Sequence, residues 1–266
     1  CGATVAFAST PEQAAKLLAA QARCPKLKHV FVFDHQGGGA KPFAALLEEG
    51  RRAHEADPSR FEARADARRP DDLATLIYTS GTTGEPKGAM LMQSNFVSNL
   101  LAGCQILPFD GSAVTLSFLP LSHVLERLVE YCYYHRNATI AFAESIDKLR
   151  DNLGEVNPHI FVSVPRVYEK VHARVMEKVE SGSPAKRTLF RNALAVGKEV
   201  LALRAEKKTP GGTLALQHFL YERLVFRKIR EALGSRFRFA VSVGAPLSKD
   251  LAEFFWAIGV EIYEGY

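Results

Sequence analysis

The chain has 266 residues, 47% hydrophobic and 24% charged, which allows a large core and excludes global disorder. Its net charge of +5 is uneven: Ser181 to Glu231 hold eleven Lys/Arg against four Asp/Glu, a local +7, which leaves −2 elsewhere. That stretch carries no nucleic-acid recognition motif, and its aromatics Phe190, Phe219, Tyr221 and Phe226 fit helix packing, so nucleic acid is set aside as a partner.

In chain order, Ala3 to Ala8 predicts a strand. Thr10-Pro11-Glu12 then opens a helix through Ala20, with Thr10 as N-cap and Pro11 in the first turn. His29 to Phe33 predicts a second, buried strand. Gly37-Gly38-Gly39 marks a turn, and Pro42 to Glu49 a short helix. Such alternation predicts an α/β fold with parallel strands. Residues 51 to 71 are charged and poor in apolar side chains, which places them at the surface.

The most informative stretch follows. The apolar run Leu73 to Ile77 leads into Tyr78-Thr79-Ser80-Gly81-Thr82-Thr83-Gly84-Glu85-Pro86-Lys87-Gly88. Glycines let backbone N–H groups approach an anion, hydroxyls donate to phosphate oxygens, and lysine adds a point charge. A plain Gly/Ser/Thr hairpin loop is the ordinary alternative, but the ordered pattern T-S-G-T-T-G-x-P-K-G favours a polyphosphate cradle. It is not a Walker loop: Pro86 precedes Lys87, and Gly88 stands where Ser or Thr would hold magnesium. Ala89 to Met92 continues as a strand, and a helix starts only after Ser94, the expected N-cap.

Downstream, Ala113 to Phe118, His159 to Val164 and Phe239 to Val243 predict strands ending at Pro120, Pro165 and Gly244. Arg166 to Leu233 reads as mostly helical, broken at Ser181 to Pro184 and Thr209 to Gly212; another helix covers Lys249 to Ile258. His123, in Leu119-Pro120-Leu121-Ser122-His123, lies just past a strand end, where α/β folds place ligands. The turn Gly244-Ala245-Pro246 occupies the same kind of position. Residues 88 to 109 lack charge, but Gln93, Ser94, Asn95, Ser98, Asn99 and Gln105 interrupt them, so they do not read as a membrane span. Cys1, Cys24, Cys104 and Cys132 show neither metal spacing nor a disulfide framework and suit a reducing compartment, hence a cytoplasmic location. Both ends fall at apolar runs, and the chain reads as an internal piece of a longer protein.

The 78–88 loop resembles the signature phosphate loop of the adenylate-forming enzymes. The phrases L-P-L-S-H-V-x-E-R and Val164-Pro165-Arg166-Val167-Tyr168-Glu169-Lys170-Val171, with the basic helical insert of about 166–235, are similar to bacterial long-chain fatty acyl-CoA synthetases. The resemblance implies that residues 1–266 are the central part of a large N-terminal AMP-binding domain, with layered β-sheets and flanking helices. The small C-terminal domain, with its catalytic lysine, would lie beyond Tyr266. It further implies ATP, magnesium and coenzyme A as cofactor and co-substrates, and a long-chain fatty acid as the acid.

By the same resemblance Lys87 and His123 are catalytic. Thr79, Ser80, Gly81, Thr82, Thr83, Gly84 and Lys87 hold phosphates, Gly244, Ala245 and Pro246 wall the adenine, and Glu264, Gly265 and Tyr266 open a Y-G-x-T-E-like motif. Thr79 is the one metal candidate. The basic 181–231 region is either a solvated helical face or a peripheral contact with an anionic membrane at its inner face. Oligomerisation is left open. Expected from this is a chain that carries the phosphate grip but has no ligase turnover by itself. Three other readings stand beside it: an adenylate-forming enzyme for an aryl or amino acid, a P-loop kinase or ATPase, and a non-catalytic nucleotide-binding remnant.

Overall fold

A computed structural model describes residues 2–34, 38–79, 84–231, 234 and 236–265. Two compact units, Cys1–Asn95 and Phe96–Tyr266, divide the chain.

In the first unit, β1 (Val5–Ala8), β2 (His29–Val32) and β3 (Lys41–Pro42) form a parallel sheet in that order. Helix α1 (Pro11–Gln21) lies between β1 and β2, and the Thr10 hydroxyl accepts from the Gln13 N–H at 3.4 Å, as the cap signal predicts. Helix α2 (Phe43–Ala56) runs nearly two turns past the expected Glu49. Helix α3 (Ser59–Asp66) falls in the stretch read only as surface, and its residues are indeed exposed. On α2, Arg51 pairs with Glu48 and Glu55, an i,i+3 and i,i+4 pattern that supports its exposed C-terminal half. β4 (Leu73–Thr79) and β5 (Lys87–Met92) form an antiparallel hairpin.

Helix α4 (Gln93–Ile106) starts one residue before the expected cap. Ser94 sits inside the first turn, and the side chain of Asn95 instead accepts from the Met92 N–H at 2.8 Å. That bond runs from the third helical residue back to the one before the helix, the reciprocal half of a capping box rather than the bond expected of Ser94.

The second unit is built on β6 (Val114–Ser117), β7 (Thr139–Phe142), β8 (Ile160–Ser163), β9 (Phe239–Val243) and β10 (Glu261–Gly265). All pairs are parallel, in the order β10-β9-β8-β6-β7. Helices α5 (Val124–His135), α6 (Leu149–Val156), α7 (Pro165–Glu180), α8 (Pro184–Ala205), α9 (Gly212–Tyr221), a π-helical turn (Glu222–Phe226), α10 (Arg227–Glu231) and α11 (Lys249–Ala257) surround it. β8 and β9 are buried at every position, which is why they read as unbroken apolar runs.

Two cores follow from the strand alternation. Phe161, Ala240 and Ile262 face Tyr168, Phe190, Phe226 and Phe255 of the helices. Ile160, Val162, Phe239 and Val241 face Cys104, Phe109, Cys132 and Tyr133. Tyr168 pins two central strands together: its hydroxyl lies 3.0 Å from the Phe161 carbonyl and 2.9 Å from that of Val241, and burial pushes its acidity far down. Phe190, Phe226 and Tyr221 pack as expected, but Phe219 does not; its ring is exposed. No helix among the described residues is long and apolar enough to cross a membrane.

Candidate functional site

The phosphate-loop residues begin and end on the β4–β5 hairpin. Thr79, the last residue of β4, is the register partner of Lys87, the first of β5, and both are exposed. A hydroxyl and an ammonium thus flank the mouth of the loop from opposite strands. One pair inward, Tyr78 opposes Gly88. A Cβ on Gly88 would stand 3.2 Å from the Tyr78 ring, so glycine there lets the aromatic ring lie across the neighbouring strand. Gly84 has φ +85°, a left-handed conformation that only glycine adopts without strain. Ser80, Gly81, Thr82 and Thr83 lie outside the described residues, as does Tyr266.

The other candidates belong to the second unit and gather at the carboxyl edge of its parallel sheet, where ligands sit in open α/β sheets. Gly244 follows β9 directly with φ +82° and turns the chain through the exposed Ala245 and Pro246. Glu264 on β10 holds that turn: its Oε1 accepts from the Leu247 N–H at 2.8 Å. Two parts of the expected adenine site are thereby brought together, with Gly265 beside Val243 in register. His123 follows β6 at the same edge. It is the N-cap of α5, and its Nδ1 accepts from the Leu125 N–H at 3.4 Å. With the Nδ1 lone pair engaged, Nε2 is the atom left to face a ligand, as an N–H donor.

Several polar groups at this edge escaped the sequence reading. Ser163 and Ser242 are register partners at the ends of β8 and β9, fully buried, with hydroxyls that find no partner among the described residues. Ser117, ending β6, contacts two buried carboxyls, Glu126 at 2.9 Å and Glu130 at 2.7 Å. The signal for the last two was present as glutamates four apart, interleaved with Leu125, Val129 and Tyr133. No cluster of three His, Cys, Asp or Glu suited to a metal occurs among the described residues.

This geometry, a hydroxyl-lysine hairpin in one unit and a glycine turn at a parallel-sheet edge in the other, matches a known enzyme class along its whole length. The family model "AMP-binding enzyme" covers residues 1–266. The chain belongs to the AMP-binding enzyme family. It is 38% identical over 267 residues to the long-chain-fatty-acid–CoA ligase FadD15 of Mycobacterium tuberculosis, covering 99% of this chain and 43% of that protein. It is 34% identical over 226 residues to the peroxisomal long chain acyl-CoA synthetase 6 of Arabidopsis thaliana, covering 84% of this chain and 30% of that one. Among solved structures it resembles the adenylation domain of a carboxylate reductase from Mycobacterium chelonae, with a TM-score of 0.59, 25% identity, and coverage of 100% of this chain and 39% of that one. The chain spans less than half the length of these curated relatives.

Proposed function

We propose that this AMP-binding domain serves the ATP-dependent activation of a long-chain fatty acid, first to an acyl-adenylate and pyrophosphate, then to acyl-CoA. The observation that carries the proposal is the pairing of Thr79 with Lys87 across the mouth of the 80–86 loop. The 38% identity to a long-chain-fatty-acid–CoA ligase supports the choice of acid.

A carboxylate is a poor electrophile. In the proposed reaction its oxygen attacks the α-phosphorus of ATP and pyrophosphate departs. The coenzyme A thiol, losing its proton, then attacks the acyl carbon and AMP leaves. No side-chain nucleophile is needed. The chain's residues bind and balance charge: Lys87 places an ammonium against phosphate oxygens, and Thr79 and the Ser80, Gly81, Thr82, Thr83 and Gly84 stretch supply hydroxyl and backbone donors. Nε2–H of His123 donates to the acid's carboxylate. Gly244, Ala245 and Pro246 offer an exposed backbone wall for a flat purine, held in place by Glu264, while Gly265 and Tyr266 complete the rim.

Magnesium fits this set as an ion shared with phosphate. The described residues offer one hydroxyl, Thr79, and magnesium commonly retains waters and takes its remaining ligands from phosphates. When bound it supplies positive charge to the polyphosphate. We take the chain as part of an N-terminal AMP-binding domain, with the helical basic insert as a peripheral contact for an anionic membrane at its inner, cytoplasmic face.

Calorimetric titration with magnesium and ATP tests the nucleotide assignment. Heat of binding that disappears in Lys87→Ala, with the thermal unfolding of that exposed-site variant unchanged, is the expected result. Equal binding by parent and variant removes Lys87 from the site.

A further inference from the structure

Helix α9 and the π-helical turn after it are apolar on two opposite sides. The inner side delivers Val225 and Phe226 to the core, with Tyr221 packed alongside. The outer side carries Leu216, Phe219, Leu220 and Leu224, which are 59%, 54%, 47% and 52% exposed. These positions follow i, i+3, i+4 and i+8 and share one helical face. The neighbouring helix α8 behaves differently: its core side holds Phe190, Ala193 and Val200, and it turns Lys186, Arg191, Lys198 and Glu199 outward. A helix hydrophobic all round is normally buried, and an exposed apolar stripe with a polar rim marks an interaction surface.

The charge around this stripe is mostly positive, although the bordering Glu206 and Glu231 pair with Lys208 and Arg227. From Lys207 to Lys228 there are five Lys/Arg and one acidic residue, Glu222. Glu222 is already paired with Arg230. Arg223 lies within the stripe, its guanidinium 5.8 Å from the centre of the Phe219 ring. Exposed Lys207 and Lys208 precede the helix, and exposed Arg227 and Lys228 follow it. Leucines and an aromatic ring flanked by Lys/Arg are the composition of a helix that lies in a membrane interface. Cations at the rim contribute to binding only where the surface is anionic.

The geometry points to α9 as a membrane-docking face: Leu216, Phe219, Leu220 and Leu224 insert at the headgroup boundary of an anionic bilayer, while Arg223 and Lys228 meet lipid phosphates. This rests on the membrane-contact reading above and goes beyond it by naming an apolar anchor, which a merely solvated basic face does not need. The docked face would sit where a bilayer-soluble acid is found.

Co-sedimentation of the full chain with phosphatidylcholine vesicles, with and without phosphatidylglycerol, tests it. Binding to the anionic vesicles alone, weakened by salt, is expected. The double variant Phe219→Gln, Leu220→Gln lowers the partition coefficient by at least about tenfold. Arg223→Gln with Lys228→Gln lowers it by roughly the same factor or more. All four side chains are exposed, so both variants keep the parental melting temperature. Parental binding by the apolar variant, with loss only in the charge variant, reduces the contact to electrostatics and overturns the anchor. Absence of binding to either vesicle also overturns it. ATP binding measured in parallel separates the two readings: vesicle binding lost with ATP binding intact leaves the enzymatic assignment standing, and the reverse leaves the docking face standing.

Discussion

Glu126 and Glu130 share one hydroxyl. One turn apart on α5, their carboxyls approach Ser117 Oγ at 2.9 and 2.7 Å, and all three residues are buried. A serine has one proton to donate, and two ionised carboxylates only accept. One carboxyl therefore carries a proton of its own. Burial pushes Glu126 up from its ordinary 4.5 to about 7, the Ser117 bond opposes this, and the charge of Glu130 adds to it.

A stability slope follows. Between pH 4.5 and 7 the folded chain holds a proton at Glu126 that the unfolded chain has released. Stability is then fully present below the unfolded value and falls as pH rises through the folded one, by an amount on the order of 2–3 kcal/mol. Urea midpoints measured from pH 4.5 to 8 should decline, and Glu126→Gln should flatten the decline. A variant with the parental slope places the proton elsewhere.

The unpartnered serines give an opposite expectation. Ser163 and Ser242 each bury a hydroxyl without a partner among the described residues, a cost of about 1–3 kcal/mol per group. Ser242→Ala should leave thermal stability unchanged or raise it. A clear loss would mean that this hydroxyl is in fact satisfied.

Gly197 lies where α8 crosses close over the end of α11. A Cβ there would come within 2.5 Å of the Ala257 carbonyl and 3.1 Å of the Phe226 ring. Gly197→Ala should cost at least about 2 kcal/mol of stability by overpacking, despite its better helix propensity. Denaturant unfolding with an unchanged midpoint would show that α8 and α11 can separate freely.

Much of this was legible along the chain because it depends on local chemistry. Thr10 before Pro11 announces α1, and Gly244 after an apolar run announces the turn at the end of β9. The hairpin around 78–88 follows from the strand on each side of its glycines. What stayed hidden depends on contacts distant in sequence. α5 was missed because Glu126 and Glu130 are buried beside Leu125, Val129, Cys132 and Tyr133, so charges interrupt its apolar face. Glu264 reads as a motif residue, whereas its carboxylate acts on Leu247, seventeen positions earlier. Phe219 looks like every other aromatic in the basic region, and only the packed helices distinguish its exposed ring from buried Phe226.

Glu264 should therefore act through the turn. Glu264→Ala removes the acceptor of the Leu247 N–H and should raise the KM for ATP about five- to tenfold, while Glu264→Gln, which keeps an acceptor, largely restores it. An unchanged KM in Glu264→Ala would detach the Gly244–Leu247 turn from nucleotide binding.

Fatty-acid-dependent exchange of labelled pyrophosphate into ATP, run on the full-length enzyme across acids from acetic through lauric and stearic to benzoic, tests the proposed activation most directly. Exchange that requires ATP, peaks with the long-chain acids and falls on the order of a hundredfold in Lys87→Ala is expected. Exchange confined to short or aromatic acids, or undiminished without Lys87, would contradict it.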